Sequence, residues 1–353
     1  MPIMTVTKLL STLVLSVTLA AQGDVNEQIR RLHREKDDAD IVLIEKIGRT
    51  QSRDAAVGLI EGYDKCVTLL FRREIVKTLA RFANLPACEQ PVLDKLAEIA
   101  GSSSEEELRI LSLRGLGQST SIGKQLLQRI IDSKASDELR VPAMLEHVKI
   151  ANAGDAAWYR KIWNLENKQR KDENGDILPP EHNQIRQLAF QGAQQFLSQQ
   201  ELVQTLKREV DPKIRRSALA WMDREKMSKA IATAALVLGR VTFRGGERAV
   251  AARMLADAKG SKVLAEFVKL AKKRDVTQED LRREMARLIT TFGDPKSKQR
   301  VAKMIGKGKP HEKIFALLAS AKNNDPKVLV AVRKCLQDRS IQVRRVAGEV
   351  IGL

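Results

Sequence analysis

Apolar residues in this chain recur with the spacing of one helical face, and the face starts afresh about every 34 residues. In the clearest copy, at 338–352, Val343 is followed by Val346, Ala347, Val350 and Ile351. Steps of three and four residues mark a single stripe on a 3.6-residue helix. Leu281 leads Met285, Leu288 and Ile289 in the same way. Ile214 leads Ala218, Trp221 and Met222; Ile185 leads Leu188, Ala189 and Ala193; Phe71 leads Ile75 and Leu79. Leu108 leads Leu111 and Leu116, with Gly117 in the place of Gly352. Three copies are imperfect: Glu247 and Glu312 stand where the first apolar residue belongs, and the stripe after Leu139 reads better from Val141.

A basic residue follows the leading position each time: Arg72, Arg109, Arg140, Arg186, Arg215, Arg248, Arg282, Lys313 and Arg344. The fourth residue after the leading position is Ala in six of these nine copies, which suits the close approach of a neighbouring helix. A second stripe precedes each copy. Asp294-Pro295 opens one with Val301, Met304 and Ile305, and Asp325-Pro326 opens another with Val328, Val332, Cys335 and Leu336. Asp accepts from the free amides of a first turn, and Pro at the first helical position sacrifices no hydrogen bond. Two helices per unit, repeated, predict an all-α fold: a right-handed α-solenoid of stacked antiparallel helix pairs, about nine in number. No long run alternates with the period of a strand.

The segments Asp338–Gly352, Asp211–Met222 and Glu107–Gly117 resemble HEAT repeats, most closely the short type of phycobilisome lyases. The resemblance covers most of residues 60–353. It implies a binding scaffold, or by analogy a lyase-type tetrapyrrole-handling protein; a fold by itself does not choose between them.

The 353 residues would suit two or three globular domains, but the repeat favours one array. At the N-terminus Lys8 precedes the apolar run Leu9–Leu19, with Thr18 and Ala20 as small residues at a cleavage site. That reads as a signal peptide over 1–20, and as export to a periplasmic or extracellular space, with no transmembrane span in the mature chain. The other reading is a buried or dangling apolar segment. Beyond it the pattern divides into repeats at 21–150, an interrupted repeat at 151–183 and a basic array at 184–353. Cys66 and Cys88 could pair in an oxidising compartment, though their spacing does not require it; Cys335 sits on an apolar stripe. The four histidines are scattered, so neither a metal nor another cofactor is expected.

The net charge of +18 has a location. Residues 1–200 hold 27 Lys and Arg against 27 Asp and Glu, whereas residues 201–353 hold 35 against 17. In a solenoid, equivalent positions align, so recurring cations form a stripe that could meet an anionic polymer or an acidic protein face. The candidates are Arg216, Arg248, Lys272, Lys273, Arg274, Arg283 and Arg345. The first Arg of each pair could instead be structural, bonding Asp or carbonyl groups of the neighbouring repeat; the second, as in Arg216, Arg283 and Arg345, is freer to meet a ligand. The bland alternative is that these charges only solvate an outer face. Sparse aromatics and the export signal argue against nucleic acid, and the aromatic-plus-Asp site of HEAT-like DNA glycosylases has no counterpart.

Between Arg140 and Arg186 the spacing stretches to 46 residues. The excess carries Trp158 and Trp163, then a polar run through Asp176, and reads as a lengthened helix followed by an exposed loop. The two tryptophans are either core packing or a ligand platform. Asp172, Asn174 and Asp176 have the first spacings of a calcium loop, but Ile177 and Asn183 fail its later positions. No nucleophile motif or phosphate loop is present, and Gly245-Gly246 lacks the Lys-Ser/Thr such a loop needs. The expectation is therefore a non-catalytic scaffold. Its last stripe runs apolar to Leu353, which would permit end-to-end self-association through the C-terminal repeat.

Overall fold

A computed structural model describes residues 24–119, 121–164, 170–171, 173, 177–178, 182–243, 246–272, 279–321, 323 and 325–352. Residues 1–20, where a signal peptide is expected, Lys273, Arg274 and the triplet Asp172, Asn174 and Asp176 lie outside them.

The fold is an all-α solenoid, formed in two compact units: one of residues 1–165 with 184–193, the other of 166–183 with 194–353. In the first unit a helix over 24–35 (α1) is followed by α2 (Ile41–Arg49), α3 (Arg53–Lys65), α4 (Leu69–Ala80), α5 (Glu89–Ser102), α6 (Glu106–Leu116), α7 (Ile122–Asp132), α8 (Asp137–Lys149), α9 (Ala156–Asn164) and α10 (Asn183–Ala193). The second unit holds α11 (Gln199–Arg208), α12 (Pro212–Arg224), α13 (Ala230–Gly239), α14 (Glu247–Lys259), α15 (Leu264–Ala271), α16 (Glu279–Phe292), α17 (Pro295–Lys307), α18 (Pro310–Leu318), α19 (Pro326–Lys334) and α20 (Ile341–Gly352).

Each odd-numbered helix is followed by its even-numbered partner, and the pairs stack in layers. In the first unit α2, α4, α6 and α8 pack in succession, as do α3, α5 and α7. In the second unit α12, α14, α16, α18 and α20 form one layer, and α15, α17 and α19 lie along the other. The caps predicted at Asp294 and Asp325 are in place, their side chains accepting from the amides of Ser297 and Lys327, and Asp211 caps α12 in the same way at Lys213. Each satisfies a donor that the first helical turn leaves open.

The apolar stripes become the core. The position four residues after the leading one is wholly buried in every copy, at Ile75, Ser112, Ala143, Ala189, Ala218, Ala251, Met285, Ala316 and Ala347. Small side chains there let successive even-numbered helices touch.

Within the interruption α9 has nine described residues, and the chain after it includes a short antiparallel ribbon, Arg170–Lys171 paired with Ile177–Leu178. Most of the polar run lies outside the described residues. Among the described residues no helix is long and apolar enough to cross a membrane. Cys66, Cys88 and Cys335 are buried as free thiols, and burial pushes all three thiols up from their ordinary value.

Candidate binding surface

The basic residue of each repeat is largely a clasp. A helix leaves its last carbonyls without partners and negative at its C-terminus. Arg72 Nε donates to Cys66 O at 2.8 Å, just past α3; Arg109 Nη1 donates to Ser103 O at 3.3 Å, just past α5. Arg140 Nε reaches Ile131 O at 2.8 Å, Arg186 Nε reaches Trp163 O at 2.9 Å and Arg215 Nη1 reaches Glu209 O at 3.1 Å. Arg248 Nε reaches Leu238 O at 2.8 Å, and Arg344 Nη1 reaches Asp338 O at 2.8 Å. Each arginine springs from the even-numbered helix and closes the end of the odd-numbered one before it.

This geometry corrects one candidate. Arg248 is 1% exposed, its guanidinium committed inside the α13–α14 pair, so it offers no surface to a ligand. The defective leading position beside it has its own logic. Glu247 is wholly buried and accepts from Arg215 Nε at 2.6 Å, a bond from one repeat to the next. At the other defective copy, Glu312 accepts from the backbone N–H of Lys309 at 2.7 Å, while Lys313 Nζ reaches Asp338 at 2.7 Å.

The second arginines are less free than their sequence position suggests. Arg283 donates to Glu279 on its own helix and to Glu349 on α20, the latter at 2.7 Å. These bonds push Arg283 upward and hold the Glu349 carboxyl below its usual range, with Arg345 nearby adding to the second effect. Arg216 is half-buried: its guanidinium and the Asp280 carboxylate both crowd the side of Gly246 that a Cβ would occupy. Arg345 and Lys272 are exposed.

The tryptophans are held as packing. Trp163 is 7% exposed and meets Phe190 edge-on at 5.1 Å, which corrects its placement on a ligand surface. Trp158 is half-buried, its indole N–H donating to Asp132 and its ring 4.6 Å from His147. His147 in turn shares a 2.7 Å hydrogen bond with the Tyr159 hydroxyl. Burial drives His147 down to about 4, with Lys124 adding to the effect and Asp155 opposing it; burial also pushes the Tyr159 phenol upward. Lys124 and Asp155 pair at 2.6 Å beside them. The cluster joins α7, α8 and α9 from within.

The uncompensated charge lies elsewhere, on the odd-numbered helices. α17 carries Lys296, Lys298, Arg300, Lys303 and Lys307 with no carboxylate, and α19 carries Lys327, Arg333 and Lys334 with none. Among the described residues none of these eight side chains enters an ion pair. The carboxylates that pair in this unit belong mostly to even-numbered helices, as Arg253–Glu284 and Arg283–Glu349 show. Between α17 and α19 runs a cleft of about 630 Å³. Lys298, Lys303 and Lys327 flank it, and Ala302, Val328 and Ala331 give it an apolar floor. Asp325 also lines it, its carboxylate capping α19. Sequence reading missed this site; the signal was the absence of any Asp or Glu from 295 to 311.

Among the described residues no three His, Cys, Asp or Glu side chains converge as a metal site would require. Comparison with protein-family models finds no match, and none is found among curated proteins. Among solved structures the chain is similar to human deoxyhypusine hydroxylase in complex with glycerol, at 13% identity and a TM-score of 0.32, over 95% of this chain and 97% of that one. It is also similar to Kap121p, at 13% identity and a TM-score of 0.35, over 94% of this chain and 37% of that one. The chain thus spans about a third of Kap121p and nearly all of the hydroxylase.

Proposed function

We propose that this protein is an exported, non-catalytic binding scaffold whose second unit engages an acidic protein or an anionic polymer through the α17–α19 surface. The observation that carries this reading is the cluster of cations on α17 and α19, exposed and, among the described residues, without carboxylate partners. Cations so placed repel one another, and an anionic partner relieves that repulsion. The export element rests on the apolar run Leu9–Leu19 behind Lys8. The tetrapyrrole alternative rests only on the resemblance to phycobilisome lyases and has no further observation behind it.

Passing the purified protein over immobilised polyglutamate and immobilised heparin tests the binding role. Retention that is lost as salt rises is the expected result, since screening weakens exposed charge pairs. Flow-through at low salt on both matrices would overturn the reading. Detection of the protein in the exported fraction, cleaved near Ala20, checks the compartment.

A further inference from the structure

The α17–α19 cleft has two chemistries, and a ligand that uses both is narrower than an anion. Its cations are lysines, and a lysine ammonium is a point charge that meets a carboxylate, a phosphate or a sulfate from any direction, so the floor rather than the charge narrows the ligand. Between Lys298, Lys303 and Lys327 lies the floor of Ala302, Val328 and Ala331. The two alanines keep it shallow and accessible, and Val328 below them is buried. A sulfated or phosphorylated polymer has no apolar group to place there. An aliphatic side chain does, and covering apolar surface contributes roughly 25 cal/mol per Å². A volume of about 630 Å³ falls in the range of small binding clefts and admits a few side chains, not a folded domain.

We infer that the α17–α19 cleft binds an acidic protein segment that also carries aliphatic residues, the carboxylates meeting the three lysines and an aliphatic side chain resting on the alanine floor. This rests on the reading of the basic helices as the binding surface. The occupant is a segment of another protein, because the cleft sets cations beside an apolar floor, and an acidic segment with aliphatic side chains matches both.

The test uses the full chain and three probes: a short synthetic peptide with Glu and Leu at helical spacing, polyglutamate, and heparin. Affinities are measured for the native protein, for Ala302→Phe and Ala331→Gln, and for the Lys298→Glu/Lys303→Glu/Lys327→Glu variant. Both alanines lie on the helix surface, and circular dichroism with thermal melting confirms folding; the two floor variants act independently if one fails to fold. The Glu/Leu peptide should bind tighter than polyglutamate by about tenfold or more, and each floor variant should remove that advantage while leaving heparin binding unchanged. The lysine variant should abolish binding of all three. If the floor variants leave peptide binding unchanged while the lysine variant abolishes it, the acidic-aliphatic occupant is overturned and the basic-surface reading stands. If heparin outcompetes the peptide and ignores the floor variants, the occupant is a polyanion instead. If the lysine variant binds all probes like the native protein, both readings fall.

Discussion

Arg248 and Arg344 hold the same register and the same kind of carbonyl, yet differ in how much depends on them. Arg248 is buried, whereas Arg344 is exposed. Arg248→Met should destabilise the protein by about 2–4 kcal/mol, because it leaves the Leu238 carbonyl unpaired inside the pair. Arg344→Met should cost about 1 kcal/mol or less, since water can replace the bond. Urea titrations of the two variants check the contrast. His147 supplies a pH prediction. Burial lowers it from an ordinary 6.5 to about 4, so the folded state favours the neutral ring. Above pH 6.5 the ring is neutral folded or unfolded and adds no pH dependence. As pH falls from 6.5 towards 4 the unfolded chain takes up a proton that the folded one resists, and stability drops. The native protein should therefore melt lower at pH 4.5 than at pH 7. His147→Leu/Tyr159→Phe, which removes the titrating ring and the hydroxyl it would strand, should flatten that part of the profile. Position after an apolar residue revealed that the first arginine could be structural, and the seven carbonyl bonds bear this out, although they lie within the arginine's own helix pair and not in the neighbouring repeat as expected. The loss of freedom at Arg283 was not legible, because its partner Glu349 stands 66 residues away and meets it only when α16 and α20 share a layer.

At the scale of helices, the nine copies show how a stack tolerates a broken pattern. Glu247 occupies an apolar position because Arg215 of the preceding repeat reaches it. Glu247→Ala should cost about 3–5 kcal/mol by leaving the guanidinium with a buried partner removed, whereas Arg215→Met/Glu247→Leu should recover most of the loss. Thermal or urea unfolding of single and double variants decides this, and equal losses in both would contradict it. The approach of α9 to α10 gives a steric counterpart. A Cβ on Gly192 would stand within 2.8 Å of three atoms of the Tyr159 ring, so Gly192→Ala forces that rigid, packed ring to move. A loss of about 1–3 kcal/mol is expected in the same assay. Helix existence was legible from periodicity, and helix starts from Asp-Pro. The ribbon within the interrupted repeat was not, since spacing alone does not show that Arg170–Lys171 pairs with Ile177–Leu178.

At the scale of the whole molecule, the net charge of +18 is a sum over two arrangements. In the second unit, arginines of the even-numbered helices meet carboxylates and carbonyls and stiffen the stack. Lysines of α17 and α19 meet none among the described residues. The sequence showed the basic half because charge counts need no geometry. It pointed first to the arginine register because the repeat made that register conspicuous, whereas α17 and α19 lie adjacent only once the pairs have stacked. The direct measurement is salt-dependent binding to immobilised polyglutamate by two charge-reversed proteins, Lys298→Glu/Lys303→Glu/Lys327→Glu and Arg216→Glu/Arg283→Glu/Arg345→Glu, each first shown to be folded. The lysine variant should lose about tenfold or more in affinity and most of its salt dependence, and the arginine variant should stay within about threefold of the native protein. The opposite order, with binding lost on reversing the arginines and kept on reversing the lysines, would contradict the account.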